Sequence, residues 1–189
     1  MGRTMRIKKL VLRILAILGI GVPLVFAGLV AYAIFSIPRG THSLRKYVES
    51  RAKYDQELVG HFPAEIPSSA SLKRFTYLPG YMQGGSYIQL RLRLPADKIL
   101  ELYSKFAAIR TKSFFAGDYN SHGYEKGWMP TTQFYTGDGN NRTFPDDFEI
   151  MVFDEVRNEL PPDQWNHGRS HGVAISTNRN EIVYWADRW

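Results

Sequence analysis

The most prominent feature of the hydrophobic pattern is an uninterrupted apolar segment near the amino terminus. Residues 14–37 have the sequence ILAILGIGVPLVFAGLVAYAIFSI, which is 24 positions without a charged side chain. As a helix at about 1.5 Å per residue, the segment would span roughly 36 Å, more than the ~30 Å thickness of a hydrocarbon core. Pro23 is tolerated in a membrane helix, and Pro38 ends the run. The pattern therefore predicts one transmembrane helix over residues 14–37.

Basic residues flank this segment on both sides, so its orientation depends on the tail that precedes it. Residues 1–13 carry five basic and no acidic side chains, and five further basic residues lie between positions 39 and 53. A short, wholly basic tail is typical of a signal anchor. It favours a cytoplasmic amino terminus and a carboxyl-terminal domain outside the cytoplasm. Cleavage after Ala33, within the small-x-small pattern Ala31-Tyr32-Ala33, is the alternative to a retained anchor.

Residues 38–60 are predicted to form a juxtamembrane helical linker. Between Ser43 and Val59 there is no Gly or Pro, and opposite charges recur four residues apart, which favours a helix. Gly60 is typical of the position just after a helix. The apolar positions form only a narrow stripe, so we expect a stalk or a connecting helix at headgroup level rather than a core element.

Residues 61–189 show the periodicities of a globular domain. Apolar and polar residues alternate from Tyr87 to Leu94, which predicts a half-buried antiparallel strand, and apolar residues recur at helical spacing from Pro95 to Arg110. The Gly- and aromatic-rich stretch 111–132 has neither period and predicts a long ordered loop. Shorter strands are predicted at 75–78, 133–136, 148–154, 173–176 and 181–187. This order predicts an α+β domain in which a curved antiparallel sheet packs on one principal helix.

Composition and charge narrow the classes of function. The net charge of +6 comes mostly from the tail, because residues 38–189 contain 19 basic and 18 acidic residues. Phosphate binding needs a clustered positive face, so we expect no nucleic-acid partner. The absence of cysteine excludes disulfides, thiolate zinc sites and a cysteine nucleophile.

Two motifs resemble functional loops but lack an essential element. Residues 168–172 match the G-x-S-x-G pattern of a nucleophile elbow, yet residues 173–175 continue as a strand where the elbow requires a helix. Residues 138–149 have the spacing of a calcium loop, but Arg142 occupies a ligand position and Thr143 stands where a turn glycine is needed. We interpret the first as a loop entering a hairpin and the second as a turn.

Four histidines are the remaining candidates for catalysis or metal binding, because imidazole is a common general base and metal ligand. Glycines directly follow His167 and His171, which are four residues apart, and disfavour a helix that would align these two. The fold would have to bring the four together with nearby carboxylates. They are His61, His122, His167 and His171. We assign no metal ion and no cofactor from the sequence.

Aromatic and amide side chains in Pro- and Gly-framed loops predict a recognition surface, because aromatic rings supply large contact areas at low entropic cost. The residues we select for partner binding are Tyr81, Gln83, Trp128 and Trp165. The expected function is a non-enzymatic, single-pass membrane-anchored binding or assembly module that recognises a protein or envelope ligand outside the cytoplasm. The alternative is a membrane-tethered hydrolase or metal-dependent enzyme that uses the four histidines. A third possibility is a subunit whose span packs in a larger membrane complex through its glycines.

Overall fold

A computed structural model of the chain describes residues 19, 21–37, 39–81, 84–115, 132–139, 142–157 and 168–189. The chain divides into two units, residues 1–38 and residues 39–189. The predicted basic tail, most of the 111–132 loop and the segment 158–167 lie outside the described residues. Each unit is considered by itself.

The first unit contains helix α1, Val22–Ser36, which is 15 residues long and has Pro23 in its first turn. Its described side chains are exposed and predominantly apolar. Within the part of the chain that the structure describes, no helix combines the length and the apolar character needed to cross a bilayer. The predicted transmembrane segment also includes positions 14–18 and 20, which lie outside the described residues, so the span stays a prediction.

The second unit is an α+β domain built on an open, six-stranded antiparallel sheet. The strand order is β1-β2-β6-β5-β4-β3. The strands are β1 (Leu72–Leu78), β2 (Ser86–Arg93), β3 (Lys112–Phe115), β4 (Glu149–Arg157), β5 (Gly168–Ser176) and β6 (Glu181–Arg188). The helices are a 3-10 helix (Leu44–Lys46), α2 (Tyr47–Lys53), α3 (Gln56–Val59) and α4 (Ala96–Ala107).

The predicted strand 87–94, helix 95–110 and closing hairpin are confirmed as β2, α4 and β5–β6. Strand β3 lies inside the stretch predicted as a loop, and the prediction for that stretch was wrong at residues 112–115. Residues 133–136, predicted as a strand, form none: positions 133–134 are irregular and 135–136 lie in a turn. Phe134 stacks on Phe144 with ring centroids 4.5 Å apart instead of lying in a strand.

Part of the apolar stripe of residues 43–59 belongs to the core, namely Tyr47, Tyr54 and Leu58, which corrects the expectation of a stalk; Leu44 and Val48 stay exposed. The segment is not one helix, because Tyr54 ends α2 and the Asp55 side chain accepts a hydrogen bond from the Glu57 N–H to begin α3. Tyr47 packs edge-to-face on Phe75 of β1, with ring centroids 5.4 Å apart. Leu58 is also buried. A narrow stripe suffices here because its buried side chains, such as Tyr47, contact the sheet directly.

The sheet is buried on both faces, whereas the alternation in β2 predicted one polar, exposed face. One face carries Ile88, Leu90 and Leu92 of β2 beneath the helices. On the other face, Arg91 is only 3% exposed. Its guanidinium donates to Glu181 Oε2 at 2.8 Å and to Asp138 Oδ2 at 3.1 Å. Pairing of this kind offsets the cost of burying a charge, so residues 132–148 can cover this face. Its apolar members are Phe134, Phe144, Phe148, Ile150, Val152, Ala174, Val183 and Trp185.

We predict that Gly172→Ala destabilises the domain by about 3 kcal/mol or more, because overpacking against a rigid backbone is costly. A Cβ at Gly172 would lie 2.0 Å from the Met151 carbonyl oxygen and 2.9 Å from the Trp185 ring. Gly60→Ala is the matched control, since its Cβ would meet only the Gln56 carbonyl oxygen at 3.4 Å. Urea unfolding in mild detergent measures both variants. Equal urea midpoints for Gly172→Ala and Gly60→Ala would contradict the close approach of β4 and β5.

Candidate functional site: a polar cleft at one end of the sheet

A cleft of about 500 Å³ lies where three distant parts of the second unit meet. The first is the elbow between α2 and α3, residues 53–55. The second is the end of β1 and the start of β2, and the third is the end of β6 beside the start of β5. The described residues that line the cleft are Lys53, Tyr54, Asp55, Tyr77, Pro79, Gly80, Gly84, Gly85, Ser86, Gly168, Arg188 and Trp189.

The elbow is held to the sheet by the Tyr54 hydroxyl. Tyr54 OH lies 3.2 Å from the carbonyl oxygens of Ser86 and of Ala186, and it accepts a hydrogen bond of 3.3 Å from Ser86 Oγ. Burial raises the pKa of Tyr54, so the phenol stays protonated and can donate. One side chain thus joins α2 to β2 and β6 at the base of the cleft.

Two glycines let backbone segments approach closely in the cleft wall. A Cβ at Gly85 would lie 2.7 Å from the Arg188 carbonyl oxygen, and one at Gly168 would lie 2.5 Å from the Trp189 ring. Gly168 and Trp189 also exchange backbone hydrogen bonds of 2.9 Å and 3.0 Å. The Trp189 indole therefore packs directly on the backbone of Gly168, and this contact together with the two hydrogen bonds positions both residues in the cleft wall.

Among the described residues that line the cleft, the charged side chains are those of Lys53, Arg188 and Asp55. Arg188 Nη1 and Asp55 Oδ2 are 3.7 Å apart, a loose contact that leaves most of the guanidinium donors available. Lys53 pairs with Glu49 on the exposed side of α2, and the hydrogen bond that Lys53 donates to Glu49 raises the pKa of Lys53. Because exposed ion pairs are weak, both cations can exchange their present partners for a ligand. The cleft is equipped to hold a polar ligand that carries an anionic group.

Tyr81 stands in the chain segment that forms one rim of this cleft. It is 39% exposed, and its carbonyl oxygen accepts the Gly84 N–H at 2.8 Å. Of the four residues predicted for partner binding, it is the one that the structure describes. Gln83, Trp128 and Trp165 lie outside the described residues, so their roles stay predictions.

The structure brings His61 and His171 together, with ring centroids 5.4 Å apart. His61 Nε2 donates to the Gly172 carbonyl oxygen at 2.8 Å, and both rings meet Phe153 edge-to-face. Burial lowers the pKa of His61 to about 3 and also lowers that of His171. These are neutral, packed imidazoles. His122 and His167 lie outside the described residues.

No group of three or more His, Asp or Glu side chains among the described residues is placed to hold a metal ion. Ser170, the central residue of the G-x-S-x-G pattern, is buried within β5. Asp138, the first residue of the calcium-like spacing, pairs with Arg74 at 2.6 Å and with Arg91 at 3.1 Å. The hydrogen bond from Arg91 lowers the pKa of Asp138. Both motifs therefore have structural roles where they are described.

Sequence reasoning missed most of the cleft and one unusual carboxyl group. The Pro79-Gly80 and Gly84-Gly85 turns were the only local signals, because Tyr54 and Arg188 reach the cleft through tertiary contacts. Asp187, on the face of β6 opposite the helices, is buried, and burial raises its pKa to about 8. The carboxyl group of Asp187 is therefore largely protonated at neutral pH.

Comparison of the chain with protein-family models, with curated proteins and with solved structures finds no match. The cleft, the histidine pair and the exposed surfaces are therefore interpreted from their own chemistry. Residue types, distances, burial and charge within the described residues are the basis for the function proposed below.

We predict that the pH dependence of stability changes in opposite directions in His61→Gln and Asp187→Asn. In the wild type, His61 is neutral when folded but gains a proton on unfolding below its ordinary pKa of 6.5, so its contribution falls as pH falls. From about pH 7.5 to about pH 5.5 the loss is about 1.4 kcal/mol relative to His61→Gln. Asp187 is neutral when folded and ionises on unfolding, so its contribution grows over the same interval.

Urea unfolding of the wild type and the two variants at both pH values measures these differences. Subtracting the unfolding free energy of each variant from that of the wild type at the same pH removes the contributions of all other titrating groups. Identical pH slopes in the three proteins would show that the two side chains titrate normally in the folded state.

Proposed function

We propose that this protein is a single-pass, membrane-anchored binding module that holds its α+β domain outside the cytoplasm and recognises a protein or envelope ligand. The observation that carries the proposal is the polar cleft, with exposed Tyr81 in the segment at its rim. Three chain segments converge there, and they bring two cations that are held only by weak, exposed ion pairs. Ligand sites in proteins are commonly concave surfaces in which a few convergent polar groups fix orientation.

The composition of the cleft supports binding rather than catalysis. Asp55 is the one carboxylate among its described lining residues, and no histidine lines it. Asp55 Oδ1 accepts the Glu57 N–H at 3.1 Å and so caps α3. General acid–base chemistry needs a titratable group within reach of a substrate proton and with a pKa near the working pH. Arg188 and Lys53 instead remain charged and suit the recognition of an anionic group.

The proposed anchor is supported by the cost of exposing its side chains to water. Phe26 and Leu29 of α1 are more than half exposed, as are several of their neighbours. Burying one such side chain contributes about 1.5–3 kcal/mol, so a bilayer is a favourable environment for the segment. The wholly basic tail, residues 1–13, favours a cytoplasmic amino terminus.

The alternative, a tethered hydrolase or metal-dependent enzyme, has one observation in its favour: His61 and His171 are neighbours. A catalytic pair would need a free nitrogen directed at a substrate. His61 Nε2 is instead engaged by the Gly172 carbonyl oxygen, and the His171 Nδ1 atom, which has no hydrogen-bond partner among the described residues, is buried and out of reach of a substrate. This alternative now depends on His122 and His167, which lie outside the described residues.

We predict that the full-length protein stays in the membrane pellet after alkaline carbonate washing. Deletion of residues 14–37 is expected to release it into the supernatant, because the uncharged segment is the source of membrane affinity. Immunoblotting of pellet and supernatant measures the distribution and shows whether the chain is cleaved after Ala33. Release of the intact, unprocessed protein would contradict the anchor.

We predict that a photo-crosslinking amino acid at position 81 captures a discrete partner in cells, whereas the same group at Phe115 does not. Both positions are exposed aromatics, but Phe115 lies on β3, at the other edge of the sheet from β1. Arg188→Ala should reduce the adduct at position 81 about tenfold if its charged donors bind the ligand.

Lys98→Ala is the control for Arg188→Ala, since it removes an exposed cation from an ion pair elsewhere, with Glu101 at 2.7 Å. Adduct yield on denaturing gels is the measurement. Equal capture at positions 81 and 115, or an equal effect of the two alanine substitutions, would show that the cleft does not select the partner.

A further inference from the structure

The segment Leu44–Lys53 exposes a row of apolar side chains, although its opposite side is part of the core. Leu44 is 37% exposed and Val48 is 54% exposed. With Ala52, which is also exposed, they recur every four residues and so lie along one side of the segment. We refer to the exposed side chains of residues 44–53 as the Leu44–Lys53 face.

The orientation of this face is fixed by the buried side of the same segment. Tyr47, Ser50 and Tyr54 are buried, and they alternate with the exposed positions at helical spacing. Tyr47 packs on Phe75, and the Tyr54 hydroxyl bonds to β2 and β6. The segment cannot turn its apolar row inward, because that side of the helix is already occupied by the sheet. Leu44 and Val48 therefore remain available to an external surface.

Exposed basic side chains occur along the same segment as the apolar row. Arg45, Lys46 and Lys53 are exposed, as is Arg39 just before the segment. Glu49 is the one acidic residue between positions 39 and 53, and its charge is matched by Lys53 at 2.5 Å. The Leu44–Lys53 face thus combines a narrow apolar row with exposed basic side chains of the same segment.

We propose that the Leu44–Lys53 face rests on an anionic lipid bilayer. Leu44 and Val48 enter the headgroup region, and Arg39, Arg45 and Lys46 contact anionic headgroups. A thin apolar stripe with cationic flanks is the pattern of an interfacial helix. Cores of protein interfaces are instead enriched in aromatic residues and depleted of lysine. The inference rests on the proposed anchor, because the uncharged segment ends at residue 37, seven positions before Leu44.

This placement also locates the cleft. Lys53 belongs to the Leu44–Lys53 face and lines the cleft, and Tyr54 follows it directly. If the face contacts headgroups, the cleft opens beside the bilayer surface. Its ligand would then be bound at the membrane rather than at the far side of the domain.

The absence of cysteine allows a direct test in the full-length protein. Val48→Cys and, as control, Ser113→Cys each carry one environment-sensitive fluorophore. Ser113 is exposed on β3, and β3 and β1 are opposite edges of the six-stranded sheet, roughly 24 Å apart at about 4.8 Å per strand. The labelled proteins are reconstituted into vesicles of phosphatidylcholine, with or without phosphatidylserine, that contain a lipid with a headgroup-level quencher. Flotation with the vesicles reports insertion independently.

We expect quenching and a blue shift at position 48 when phosphatidylserine is present, and neither at position 113. Each basic side chain at an anionic surface shifts the docked-to-undocked ratio about fivefold, so Arg45→Gln with Lys46→Gln should lower it about 25-fold. Both side chains are exposed, so their replacement is expected to leave the fold intact. High salt should weaken the quenching at position 48 in the same direction.

Three results would overturn the inference. A floating protein with an unquenched label at position 48 would leave the anchor in place but remove the lipid contact. A blue shift without lipid quenching would mean that a second copy or a partner protein covers the face. A protein that does not float with vesicles would remove the anchor and the lipid contact together, and flotation separates this result from the first two.

Discussion

The buried ion pair between Arg91 and Glu181 allows both faces of the sheet to be covered. Arg91 lies on β2 and Glu181 on β6, and their 2.8 Å contact joins these two adjacent strands. A charge at this position would be costly alone, but Glu181, Asp138 and the Thr136 carbonyl oxygen all accept from the guanidinium. These bonds draw residues 136–138 onto the sheet, and Phe134 follows, with its ring 5.0 Å from the Arg91 guanidinium carbon. The second apolar core, formed by Phe134, Phe144 and Phe148, is thus organised around a polar contact.

His61 and Asp187, two of the described groups whose pKa values burial shifts strongly, belong to this same arrangement of strands. His61 is held neutral beneath the helices, where it donates to the Gly172 carbonyl oxygen of β5. Asp187 is held neutral on the opposite face of β6. In each case burial penalises the charged form, so the pKa of the imidazole falls and that of the carboxyl group rises. Such shifts often mark catalytic groups. Here neither residue lines the cleft, and packing of the sheet explains both shifts without a reaction.

The elements that local pattern determines were predicted from the sequence, and those that tertiary contacts determine were not. The alternation of β2 and the helical spacing after Pro95 are local, and both elements form where predicted. The prediction that one side of β2 is exposed was wrong, because Glu181 and Asp138, which neutralise Arg91, are distant from it in the sequence. The cleft escaped prediction for the same reason. The sequence indicates the Gly-containing turns of the cleft. It does not indicate that β6 lies beside β2, and only that strand order brings Arg188 close to Asp55.

The elbow at Tyr54 connects the properties proposed for this protein. The Tyr54 hydroxyl holds the α2–α3 segment against β2 and β6, which at once forms the base of the cleft and turns Leu44 and Val48 outward. The exposed row therefore follows from the same contacts that build the cleft. A module tethered only by a flexible chain would present its ligand site in every direction. A second contact through Leu44 and Val48 would restrict that freedom, because it lies within ten residues of Lys53 at the cleft. The tether, the lipid-facing side chains and the ligand site would then act as one oriented surface.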